Sequence, residues 1–282
     1  MGAQGKKITS PDGAEIYYET YPGGAGKPVL FFVHGVGADL DAWQFEREPL
    51  VRAGYGAVAL DLRGHGYSSH PRAAARYALE RMGGDIESVI KAERLARPVL
   101  VGHSGGAVLA AHFALARQAE LGGLVLICGS YGPPSYARRA LPRAAVRAVL
   151  AALSLISPSP TRGWHSPYPP GKHHKEIEMW GLLRTIYHNS LRSYLSVSKG
   201  LVELDMESRL AELRLPTLLV AAERDGIYPL AISKRMHELI AGSQLAVVPG
   251  ANHVLPLNRP AETAEHVKNF LTDFSSAGFI SM

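Results

Sequence analysis

The chain begins with two short alternating runs, Lys6–Thr9 and Ala14–Thr20, on either side of Pro11-Asp12-Gly13. Period-two alternation around a Pro-Asp-Gly segment predicts a hairpin. The runs that follow have another character. Residues 28–34 (PVLFFVH), Tyr55–Leu60, residues 98–102 (PVLVG) and Leu121–Gly129 are almost continuously apolar. Such runs predict strands buried on both faces. Helical spacing separates them. Asp41 followed by Gln44 reads as a capping box opening a helix that reaches Val51. A second helical pattern covers Tyr77–Leu95 despite Gly83 and Gly84, and a third runs to about Arg117. Near the end come a strand at residues 216–222, a helix over Pro229–Ile240, a strand at Gln244–Val248 and a helix from Pro260. In that last helix Val267, Phe270, Leu271 and Phe274 share one face.

Between Ser130 and Leu210 this rhythm breaks. No parallel-strand run occurs there. Helical patterns at Leu141–Ile156 and Glu176–Leu204 flank the proline-rich stretch SPSPTRGWHSPYPPG, which suits a connector between helices. Alternating strands and helices predict an α/β fold with a mostly parallel sheet covered on both faces. The expected organisation is a core of residues 1–129 and 211–282 with a helical cap, residues 130–210, inserted above it.

Composition narrows the class. At about 150 residues per domain, 282 residues allow two domains or one large α/β unit. Hydrophobic residues make up 46% of the chain and charged residues 20%, enough to build a core and to exclude a wholly disordered chain. The single cysteine, Cys128, excludes an internal disulfide or a cysteine-based zinc cluster, and its apolar run predicts an inert, buried side chain. The first residues lack an apolar leader, and Lys6 stands where a myristoylation signal needs a hydroxyl. The longest apolar run is too short for a membrane span. A cytoplasmic protein is expected.

The strongest chemical signal is Gly102-His103-Ser104-Gly105-Gly106. It matches G-x-S-x-G and lies between an apolar strand and a helix, the context that motif requires. A serine at such a sharp bend has strained backbone geometry, and flanking side chains would collide. A hydroxyl needs a base, and the base an orienting acid. Two later strands end in suitable groups: residues 218–222 lead into Glu223-Arg224-Asp225-Gly226, and Gln244–Val248 leads into Pro249-Gly250-Ala251-Asn252-His253. Asp225 is the expected acid, with Glu223 as the alternative, and His253 the expected base. Residues 127–134 contain no carboxylate. The expected oxyanion donors are the backbone N–H groups of Gly105 and of Val36, the latter in the loop His34-Gly35-Val36-Gly37.

Together with Asp61-Leu62-Arg63-Gly64-His65-Gly66-Tyr67-Ser68, these motifs resemble the α/β-hydrolase superfamily, in its capped esterase, lactonase and haloperoxidase-like branch. The resemblance covers about residues 6–274 and is weakest in the insert. It implies an eight-stranded sheet, a helical lid and a cofactor-free acyl-enzyme route, with Ser104 as nucleophile, Asp225 as acid and His253 as base. Where the family often has a bulky residue after the serine, Gly105 stands, which is expected to widen the pocket floor. His34, Arg63, His65 and His103 belong to strings typical of the family and read as structural or pocket-framing.

The remaining features carry less. His165, His173, His174 and His188 lack metal-ligand spacing and read as solvated, so no metal is expected. Tyr131, Trp164, Tyr168, Trp180, Tyr187 and Tyr194 crowd the insert, either packing the lid on the core or lining a site for an apolar acyl or alcohol group; Tyr131, Trp164 and Trp180 are the candidates for substrate contact. The expected partner is a small-molecule ester or lactone. An amidase or iminopeptidase, an acyltransferase and a C–C bond hydrolase would use the same triad, and a non-catalytic receptor is the reading from another class. The net charge of +5 is modest, and nucleic acid is not an expected partner. Residues 130–210 carry +6 and the remainder −1, with Arg139, Arg143 and Arg147 at helical spacing. The basic excess therefore lies in the insert, as a solvated face or an attractor of anionic substrate or lipid.

Overall fold

A computed structural model describes residues 3–135, 143–157, 163–165, 168 and 190–276. Its eight strands are β1 (Gln4–Thr9), β2 (Glu15–Tyr21), β3 (Val29–Val33), β4 (Gly56–Leu60), β5 (Val99–His103), β6 (Gly123–Ile127), β7 (Thr217–Ala222) and β8 (Gln244–Val248). They form one sheet in the order β1-β2-β4-β3-β5-β6-β7-β8. The hairpin pairs antiparallel and β2 runs antiparallel to β4; every other pairing is parallel. The apolar runs explain this topology, because parallel strands need cover on both faces.

That cover divides along each strand. In β3, Leu30 and Phe32 join one core with Trp43 and with Leu50 of α1 (Gln44–Arg52) and Val267, Phe270 and Leu271 of α8 (Pro260–Ser276). Phe31 and Val33 face the other core, built by α2 (Leu79–Ala92), α3 (Gly105–Arg117) and α6 (Leu230–Leu239). The helix expected over Tyr77–Leu95 contracts to α2, preceded by a 3-10 turn at Ala74–Tyr77. At Gly83, inside α2, a Cβ would make ordinary contact with Phe113 of α3, 3.4 Å away. The capping box expected at Asp41 is not formed. Asp39 caps a 3-10 turn, Leu40–Trp43, by accepting from Asp41 N–H, and α1 begins only at Gln44.

After β6 the chain leaves the sheet to form the helical cap. Its described helices are α4 (Arg143–Ile156) and α5 (Leu191–Glu203), which pack on each other. Val197 and Leu201 of α5 reach the core between β3 and α3, so the cap rests on the sheet's C-terminal edge. The short helix α7 (Leu255–Asn258) follows β8. Among the described residues no helix is long and apolar enough to cross a membrane.

Arg63 ties the hairpin to α2. Fully buried, it donates Nε and Nη2 to Asp85 at 2.7 and 2.6 Å and Nη1 to Asp12 at 2.8 Å, and it also reaches the carbonyls of Arg76 and Arg81. Asp85 is equally buried and also accepts from Ser10 Oγ. Removing one partner strands the other in a medium that cannot solvate it. Arg63→Met should therefore cost about 3–5 kcal/mol in urea unfolding. A loss below 1 kcal/mol would show that Asp85 finds solvation elsewhere.

Candidate active site

The candidate groups lie on consecutive loops at the C-terminal ends of β3, β5, β7 and β8. Ser104 stands between β5 and α3 with φ 52° and ψ −123°. Sterics make this conformation costly for a side-chain-bearing residue. The neighbouring glycines make it attainable. A Cβ on Gly102 would meet the backbone of Gly106 and Ala107 at 2.6–2.8 Å, and one on Gly106 would collide with the carbonyl oxygens of Val33 and His34. The bend is held by Ser104 N–H donating to Ile127 O and Val108 N–H donating to Ser104 O, each at 3.0 Å.

Ser104 Oγ lies 2.8 Å from His253 Nε2, and His253 Nδ1 lies 2.7 Å from Asp225 Oδ2. The other Asp225 oxygen accepts from the N–H groups of Ile227 and Tyr228, both at 2.8 Å. The carboxylate therefore has a fixed orientation, with one oxygen reserved for the imidazole. Asp225 and His253 are both buried. Glu223 faces away from them and accepts from Gly250 N–H at 2.8 Å.

Histidines frame this chain without titrating near neutrality. His103 Nε2–H donates to the carbonyl of His253 at 2.9 Å and so holds the backbone that carries the imidazole. Burial, with His253 beside it, pushes its pKa down to about 3. His34 Nδ1–H donates to Gly35 O while Nε2 accepts from Leu62 N–H at 3.0 Å. His65 Nδ1–H donates to Arg63 O while Nε2 accepts from Gly37 N–H at 3.0 Å. Burial holds His34 well below the usual imidazole range and takes His65 down to about 4. Each ring thus stays neutral with one donor and one acceptor nitrogen, and the pair locks the 34–37 loop to the 61–66 loop. His34 and His103 also line the cavity, so these rings show both of the roles expected from sequence, structural and pocket-framing.

Val36 and Gly105 sit side by side in the wall of a cavity that Ser104 and His253 also line. A Cβ on Gly105 would collide with Val36 Cγ2 and lie 3.2 Å from Leu201 Cδ1. The glycine therefore does not widen the pocket floor as expected, because the valine side chain takes the space. The aromatic lining comes from Trp43, Tyr168, Tyr194 and Tyr228. Tyr131 instead packs against the core and accepts from Met206 N–H through its carbonyl. Trp164 is 41% exposed, and neither it nor Tyr131 is among the lining residues. Trp180, His173, His174, His188 and Arg139 lie outside the described residues. Trp43 and Tyr228 escaped notice in the sequence because each follows a strand at a loop whose fold-back cannot be read from spacing.

His165 departs from expectation. It is half-buried between two carboxylates, with Nε2 2.8 Å from Asp61 Oδ2 and Nδ1 3.2 Å from Asp41 Oδ2, and its ring packs against Tyr67 at 4.3 Å. Asp61 is fully buried and also accepts from Leu40 and Tyr67 N–H. Although burial works against the charge, the two carboxylates lift the pKa of His165 to about 10. An imidazolium therefore pins the cap loop to the core. Three residues on, Gln44 Nε2 holds the carbonyl of Tyr168, whose side chain enters the cavity wall.

The residues from 30 to 266 match the alpha/beta hydrolase family, and the chain belongs to it. It is 30% identical over 282 residues to protein ABHD8 of Bos taurus; the match takes in 95% of this chain and 58% of that relative, so the chain spans little more than half its length. The uncharacterized hydrolase YugF of Bacillus subtilis (strain 168) is 27% identical over 288 residues, with 92% of this chain and 95% of YugF covered. Among solved structures, a thermophilic esterase from Thermogutta terrifontis superposes with a TM-score of 0.78 at 25% identity, covering 96% of this chain and 99% of that one.

The raised pKa of His165 links it to stability. In the unfolded chain an imidazole titrates near 6.5; in the fold His165 titrates near 10. Its contribution is fully present below about pH 6.5 and is lost as the pH rises through about 10. The Tm gap between the wild type and His165→Gln should therefore narrow steadily from pH 6.5 to 10. A gap constant over that range would mean that the pin is not charged.

Proposed function

We propose that this chain is a serine hydrolase that cleaves a carboxylic ester or lactone through an acyl-enzyme, with residues 1–129 and 211–282 as its catalytic core and 130–210 as its cap. The observation that carries this reading is the unbroken hydrogen-bonded series Ser104–His253–Asp225 at a strained strand-to-helix bend. His253 Nε2 takes the Ser104 proton as Oγ attacks the substrate carbonyl. Asp225 holds Nδ1–H and stabilises the imidazolium that forms. The developing oxyanion takes the N–H groups of Val36 and Gly105. Gly105 begins α3, so its N–H has no partner within that helix, and the helix N-terminus favours negative charge. Collapse of the tetrahedral intermediate expels the alcohol, which takes its proton from His253. Water then attacks the acyl group with the same imidazole as base. The route uses only groups of this chain and water.

The cavity wall favours an apolar acyl or alcohol group, since Val36, Trp43, Leu201, Ile227, Tyr228 and Leu257 all line it. The esterase named above supports ester cleavage over the amidase, acyltransferase or C–C hydrolase readings, which would use the same three groups. Ser104→Ala should reduce p-nitrophenyl acetate turnover by roughly 10⁴-fold or more and remove fluorophosphonate labelling. Asp225→Asn should cost about 10⁴ in kcat, because the imidazole then adopts the wrong tautomer. Undiminished turnover by Ser104→Ala would overturn the assignment.

A further inference from the structure

Cys128 follows directly on β6 and is buried, as its apolar sequence context predicts, and burial pushes its thiol pKa up. Its backbone has φ 46°, left-handed for a residue with a Cβ, although its N–H still donates to Val220 O at 2.8 Å. The strand ends that carry Cys128, Asp225 and His253 are neighbours, because β6, β7 and β8 are adjacent in the sheet. In this arrangement the Cys128 thiol lies near the Asp225 carboxylate. One ligand atom from each of Cys128, Asp225 and His253 lies within 4.8 Å of the other two, and all three residues are buried.

We propose that Cys128, Asp225 and His253 form an inhibitory site for a thiophilic divalent cation such as zinc or cadmium, an inference that rests on the hydrolase reading above. Sulfur, imidazole nitrogen and carboxylate oxygen are the donor set that zinc takes in its tetrahedral sites. At usual bond lengths a bound zinc needs those atoms roughly 3.5 Å apart, so the site closes with shifts of about an ångström. Thiolate and carboxylate together neutralise a dication, which removes most of the cost of placing that charge in a buried position.

The proton balance explains inhibition. The Cys128 thiol releases its proton to solvent as sulfur binds the cation. His253 must offer Nδ1, so the proton there is lost and Nε2 takes one up. One proton leaves per cation, and the imidazole ends in the opposite tautomer. Nε2–H then points at Ser104 Oγ as a donor and has no lone pair to accept the serine proton. The cation also draws off the Asp225 oxygen that would stabilise an imidazolium. Substrate can still enter the cavity, but Ser104 has no base.

The test is a cadmium titration of the full chain, followed by the ultraviolet thiolate-to-cadmium absorption and, in parallel, by p-nitrophenyl acetate turnover. Cys128 is the only cysteine in the sequence, so the absorption reports this residue alone. The wild type should bind one equivalent and lose turnover in step with the band. Asp225→Asn and His253→Gln should each weaken the band's apparent affinity by at least about tenfold. Cys128→Ser should show no band, and half-inhibition of its own turnover by zinc should need at least about tenfold more cation. Equal zinc sensitivity in Cys128→Ser, or a full-affinity band in Asp225→Asn, would overturn the proposal. If the wild type turns over no ester, the hydrolase reading fails, and the absorption in the wild type, Asp225→Asn and His253→Gln decides the cation site by itself.

Discussion

Ser104 keeps a backbone conformation that sterics disfavour by about 1–3 kcal/mol, and the site's geometry follows from how the surroundings enforce it. The β5–β6 register brings Ser104 N–H to Ile127 O. The side-chain-free positions 102 and 106 let α3 start directly against β3. From that bend the hydroxyl can project only toward the loops after β3, β7 and β8. A wider turn would satisfy the backbone equally well, but it would place Oγ beyond reach of His253. The strain is therefore inseparable from the short Ser104–His253 separation.

Buried polar groups supply the rest of the positioning. His34, His65 and His103 each use one ring nitrogen to donate and the other to accept or pack, so they act as rigid spacers between loops. A hydrophobic residue of similar size would fill the space but leave Leu62 and Gly37 N–H unsatisfied in the interior, at about 1–3 kcal/mol each. Neutral imidazole suits this role because burial already suppresses its charge. His165 follows the opposite logic: two carboxylates overcome burial, and the ring carries charge as a tether. One residue type thus serves as a neutral spacer and as an ionic pin, depending on how many anions face it.

Much of this organisation is legible in the sequence, for a physical reason. Strands buried on both faces must be apolar throughout, so β3 to β7 show as runs, and the G-x-S-x-G bend shows because only glycine tolerates its contacts. The order Ser104, Asp225, His253 follows from loops placed at strand ends. Other features depend on contacts between distant segments and leave no local pattern. Asp41 looks like a helix cap, yet Asp39 takes that role and Asp41 turns to His165, more than a hundred residues away. Gly105 looks like extra room, yet Val36 fills it from another loop. Cys128 reads as one more buried apolar residue and is buried, but its left-handed backbone and its place beside Asp225 arise only once β6 and β7 are paired. The aromatics of the insert divide for the same reason: Tyr168 and Tyr194 reach the cavity, while Tyr131 packs against the core and Trp164 is exposed.

The contact between Val36 and Gly105 makes these two positions a single unit of inheritance. The backbone that each contributes to the wall of the cavity is set partly by the other's side chain, because the volume absent at 105 is the volume present at 36. A larger residue at 105 is sterically admissible only beside a smaller one at 36, so such exchanges should couple strongly and not add. Laboratory evolution from this chain would meet a barrier at either single step. A compensated double exchange would instead admit a bulkier residue at 105.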